Sequence, residues 1–194
     1  MALEDVFPVG TAATPVREWR AEAPWLLLLL AAAIGSSVTF ACVTPFAAFA
    51  VLTAGTLRLR HALGAMIAIW AANQFLGYAF MGYPFDGSSV AWGIALAAAA
   101  GAATVAANAI FTRAKLPAWL GVPIALVAAF ATYEGVLLLV SAILGDSQNF
   151  APPIVAKLAL SDAAWLLALG ILRHWLAALA RSRPLRANRR PIHS

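Results

Sequence analysis

The sequence predicts an all-α polytopic membrane protein, a bundle of six transmembrane helices, or five. Three observations carry that reading. The chain is 63% hydrophobic and only 11% charged, with mean hydropathy +0.85, whereas a soluble domain is about half apolar and about a quarter charged. Apolar runs of about 18 residues or more recur along its 194 residues. Basic residues gather at alternate ends of those runs. A transmembrane β-barrel is excluded, because its strands would be about 10 residues long and alternate apolar with polar.

The N-terminal arm, residues 1–23, carries Glu4, Asp5, Glu18 and Glu22 against Arg17 and Arg20. Mixed charge makes it a poor signal peptide. Pro24 to Leu57 is then too long for one ordinary crossing. Thr44-Pro45 interrupts it, since proline discourages helix at the residue before it. The expected elements are helix one over 24–43 and a shorter helix two over 45–57. If 24–57 instead forms one long broken crossing, the count is five and the N-terminus lies outside.

A basic turn, Arg58-Leu59-Arg60-His61, precedes helix three at 62–83. The loop 84–88 leads to helix four at 89–111, and 112–117 carries Arg113 and Lys115. Helix five is expected at 118–144 and helix six at 159–180, joined by 145–153. The bundle thus spans 24–180, and 181–194 is a basic tail. The turn at 58–61, the loop at 112–117 and the tail fall on one side, while 84–88 and 145–153 hold Asp86 and Asp146 and no Lys or Arg. The positive-inside rule then places the C-terminus in the cytoplasm. The tail reads as a segment held at anionic lipid headgroups rather than on nucleic acid.

Helix four is rich in small residues, with Ala97 and Gly101, and Ala98 and Ala102, four apart. Such faces let helices approach closely in lipid, so helix four reads as a central packing helix. Ala50 and Ala54 in helix two share the spacing. They are read either as internal packing or as a docking face for a partner subunit.

No nucleotide-binding, dinucleotide or zinc-protease motif is present, so neither an enzyme nor a cofactor is expected. The single cysteine, Cys42, excludes an intrachain disulfide. Glu134 lies near the middle of helix five, about 4–5 Å from the bilayer centre at about 1.5 Å per residue. An ionised carboxylate there costs several kcal/mol unless paired or hydrated. It is read as a neutral, protonated Glu bonded to Asn73, Gln74 or Asn108, or as lining a wet cavity with a ligand-binding or proton-handling role.

Asn73 and Gln74 sit near the middle of helix three, and Tyr78 follows Gln74 by four on the same face. Tyr83, Asp86 and Trp92 gather at the outer end, with Asn149 in the other outer loop. Aromatic walls with a few placed polar groups suit a small organic ligand. The expected ligand-binding set is therefore Asn73, Gln74, Tyr78, Tyr83, Asp86, Trp92, Glu134 and Asn149.

Six short helices, both termini inside, the small-residue helix bearing Ala50 and Ala54, and the run from Thr44-Pro45-Phe46-Ala47 to Tyr83-Pro84-Phe85-Asp86 resemble one known family. It is the substrate-binding S component of energy-coupling-factor vitamin transporters. The resemblance covers 24–180 and leaves out the basic tail. It implies a multi-pass protein of the bacterial inner membrane that binds a vitamin or cofactor precursor from the outer side. It also implies an energising membrane subunit docked at Ala50 and Ala54. A solitary relative of that fold transports vitamin B12 and uses a cysteine near the cobalt; Cys42 is the one candidate for that role here. A soft thiol can ligate such a metal. The expected partners are thus the lipid bilayer, a small-molecule ligand and an energising subunit. The different expectation is a non-catalytic accessory subunit of a larger membrane complex.

Overall fold

Residues 15–39, 44–114, 116–144 and 150–182 are described by a computed structural model, and they form six helices and no strand. The helices are α1 (Pro15–Thr39), α2 (Phe46–Thr56), α3 (Leu59–Phe80), α4 (Gly87–Arg113), α5 (Ala118–Leu144) and α6 (Pro152–Ser182). Cys42 and Asn149 lie outside the described residues.

Among the described residues four helices, α3 to α6, are long and apolar enough to cross a membrane. Each turns much of its apolar surface outward: Ile143 is 82% exposed, Leu160 72% and Val127 69%. In water such a surface would drive aggregation; against lipid tails it needs no cover. The described apolar part of α1, Ala23–Ser37, is shorter.

The helix expected at 45–57 is not a full crossing. α2 has 11 residues, about 16 Å of helix at about 1.5 Å per residue, against a hydrocarbon core about 30 Å thick. It is also the most enclosed element. Phe46 through Gly55 are all buried, and α2 packs against α3, α4, α5 and α6. Phe49, Val51 and Leu52 are fully buried, as is Leu29 of α1. At its far end the Trp25 indole N–H donates to Thr56 Oγ1 at 3.2 Å. A helix apolar on every side suits a bundle centre.

That burial favours one of the two readings of Ala50 and Ala54, internal packing, over the docking face. Ala50 is 0% and Ala54 6% exposed, so no partner reaches them without displacing the surrounding helices. Their small side chains serve packing inside the chain.

The small residues of α4 also work on a different face from the expected one. Ala95, Ala99, Ala103 and Ala107 form the buried row, and α4 packs most extensively on α5, whose Gly121, Ala125 and Ala129 are buried in turn. Ala97, Ala98, Gly101 and Ala102 are at least partly exposed. The four-residue spacing fits both rows, and burial selects between them.

Candidate functional site

The turn between α3 and α4 is built from aromatic rings. The Tyr78 ring meets Tyr83 edge-on at 6.3 Å and Phe85 at 5.0 Å. The Tyr83 ring lies on Gly77, where a Cβ would stand 2.7 Å from Tyr83 Cδ2. The Tyr78 hydroxyl pairs with Ser89 Oγ at 3.1 Å. Asp86 caps α4, its Oδ1 accepting from the Ser89 N–H at 2.8 Å, which satisfies one of the free donors of a helix start. Tyr78, Tyr83 and Asp86 thus fasten one end of the bundle and do not line the cavity described next.

α2 starts deep inside the same half of the molecule. Its N-cap is Pro45, which offers no side-chain acceptor. The missing acceptor comes from α6. Asp162 Oδ1 accepts from the Ala48 N–H at 2.7 Å, across 114 residues of chain, and the Ala47 N–H bonds the same carboxylate. Asp162 is 6% exposed. The positive end of the α2 dipole and its free N–H groups favour the ionised form of this carboxylate, against its burial.

Beside the cap, the lead-in to α2 is held by a polar knot. Asn73 Nδ2 donates to Thr44 Oγ1 at 2.7 Å and to Ser37 Oγ at 3.2 Å. Ser37 and Thr44 share a hydroxyl bond of 2.7 Å. Gln74 Nε2 reaches Asn73 Oδ1 at 3.4 Å. Gln74 otherwise turns to α4, where a Cβ on Gly93 would meet its Oε1 at 2.8 Å. Gly93 also accepts, through its carbonyl, the Trp70 indole N–H at 2.8 Å. Every member of the knot is buried or half-buried, so its mutual bonds are what permit it there.

A cavity of about 270 Å³ lies against the α2 N-terminus. Its backbone side is Thr44, Pro45 and Phe46; Asn73 reaches it from α3. Trp92, Tyr133 and Phe150 give it aromatic walls, and Leu96, Leu137 and Leu158 aliphatic ones. Phe46 and Tyr133 stack with centroids 5.7 Å apart. The polar lining is completed by Ser161, Glu134 and Asp162, with no Lys, Arg or His among the described residues. Trp92 is in the second turn of α4 and Phe150 just precedes α6, so the cavity belongs to the end with the Asp86 turn.

Three expected site residues, Asn73, Trp92 and Glu134, are brought together here. Gln74 supports them from behind. The expected bond from Glu134 to Asn73, Gln74 or Asn108 is not formed: among the described residues Glu134 has no hydrogen-bond or ion-pair partner. Also among the described residues, no group of three His, Cys, Asp or Glu side chains could hold a metal ion.

No family model, curated protein or solved structure matches this chain. The site therefore has to be read from its own geometry. Asp162 is the residue that sequence reasoning missed. With helix six expected from 159, it falls in the first turn, where an acid is unremarkable. The helix in fact begins at Pro152, which places Asp162 about 15 Å along it at about 1.5 Å per residue.

Proposed function

We propose that this protein is a membrane-embedded binding protein of a transport system, and that it takes a small organic solute into the cavity at the α2 N-terminus. The observation that carries the reading is the cavity itself: aromatic walls, a few polar groups and a volume of about 270 Å³. Ligand pockets are of this kind, at about 300–1,000 Å³. At about 270 Å³ this cavity lies just below the small end of that range. It suits a small solute and not a corrinoid, so vitamin B12 is not the proposed cargo. The six helices, the cavity and the resemblance to S components support this reading. The proposal assigns no reaction. Entry is from the end bearing Asp86. That end faces away from the cytoplasm, and the C-terminus faces the cytoplasm of a bacterial inner membrane; the basic turn at 58–61 and Arg113 support this orientation.

Native mass spectrometry of the detergent-purified protein tests the proposal. The parent should retain a small organic molecule, and Leu96→Trp, which fills the cavity, should not. Equal small-molecule content in both would sink it.

The accessory-subunit reading is favoured by a separate feature, a groove of about 400 Å³ between α3 and α4 lined by Met66, Trp70, Ile94, Ala97 and Gly101 among others. Its lining is almost wholly apolar. Copurification of a larger complex, together with no ligand effect on stability, would favour that reading.

A further inference from the structure

We infer that the cavity selects a small organic monocation, its ammonium group seated between the Glu134 carboxylate and the aromatic walls. This rests on the reading of the cavity as a solute site. The charge count comes from the two carboxylates that line it. Asp162 is partly answered by the α2 N-terminus through the Ala48 N–H at 2.7 Å, where a helix presents roughly half a positive charge. Glu134 is half-buried and has no hydrogen-bond or ion-pair partner among the described residues. Among the described residues no basic side chain lines the cavity. Lys157, five residues before Asp162 on α6, is exposed and does not line it.

An anionic solute would meet two carboxylates and, among the described residues, no cation. A neutral one would leave Glu134 either ionised and unanswered, which is costly, or protonated and uncharged. A cation answers it. The rings of Tyr133, Trp92 and Phe150 add attraction for an alkylammonium group, because a ring face carries negative potential. An inorganic cation would make little use of those rings. One uncompensated carboxylate sets the demand at a single positive charge.

The test uses three probes of nearly the same shape on the full-length protein at neutral pH: benzylammonium, benzyl alcohol and benzoate. Thermal unfolding is followed in detergent, with sodium chloride matched to constant ionic strength. Benzylammonium should raise Tm with saturation, at least tenfold tighter than benzyl alcohol, and benzoate should have no effect. Glu134→Gln should erase the preference for benzylammonium over benzyl alcohol, and Glu134→Asp should keep part of it. If benzyl alcohol or benzoate binds as tightly as benzylammonium, the charge inference fails while the solute site stands. If Glu134→Gln keeps the full preference, Glu134 is not the counter-charge and the inference fails. If sodium chloride alone competes benzylammonium away, the site takes an inorganic cation and the inference fails. If no probe shifts Tm, both the inference and the solute-site reading fall.

Discussion

The Asp162 carboxylate accepts the Ala48 N–H at 2.7 Å, so a side chain of α6 caps a helix more than a hundred residues earlier in sequence. The bond pins the start of the short α2, and Asp162 lines the cavity there. Removing it should loosen α2. Asp162→Ala is expected to lose about 1–2 kcal/mol, the usual cost of a lost helix cap. Asp162→Asn should lose less, because its amide oxygen still accepts. Reversible unfolding in mixed micelles measures both. Stability unchanged in Asp162→Ala would show that α2 does not depend on the cap.

Ala50 and Ala54 provide a test of burial against docking. Replacing both with Leu should destabilise the isolated protein by about 1–3 kcal/mol per site, the usual cost of overfilling a packed core. Ala98→Leu, on the exposed side of α4, should be tolerated. An Ala50→Leu, Ala54→Leu protein as stable as the parent would contradict the buried position of α2.

Gly77 and Gly93 are both crowded, but by different neighbours. At Gly77 an added Cβ meets the rigid Tyr83 ring, and at Gly93 the flexible end of Gln74. Gly77→Ala should therefore cost about 1–3 kcal/mol, and Gly93→Ala less. Tyr83→Ala should relieve most of the Gly77→Ala penalty, since touching residues are not additive. A double-mutant cycle that adds without coupling would show that the ring does not rest on Gly77.

Orientation is open to chemical labelling. Ser88 and Ala114 are exposed near opposite ends of α4. In a Cys42→Ala background, cysteine placed at Ser88 should react with an impermeant thiol reagent on intact cells. Cysteine placed at Ala114 should react only after lysis. The reverse pattern would overturn the proposed topology.

How much of this was legible in the sequence varies by element. α5 was readable to the residue over 118–144, because Pro117 precedes its start and Gly145 follows its end. The start of α6 was not. Pro152-Pro153 reads as loop, yet proline is favoured in the first helical turn, and the helix begins there. That shift concealed the depth of Asp162. The short α2 was legible from Thr44-Pro45. Its place at the bundle centre was not, since a run apolar on all sides fits a lipid-facing helix as well as a buried one. Glu134 and Asn73 were legible as polar residues at membrane depth, and Trp92 as an aromatic at the outer end. The different duties of Tyr78, Tyr83 and Asp86 depend on contacts across the α3–α4 turn that spacing does not encode.

The central claim is that a small solute occupies the cavity against the α2 N-terminus, and cavity filling tests it most directly. Thermal unfolding of the parent and of Leu96→Trp is compared over the same benzylammonium titration. The account predicts a saturable rise in Tm for the parent and none for Leu96→Trp, with both proteins folded alike by circular dichroism. An equal rise in the two proteins would place the ligand elsewhere and contradict the account.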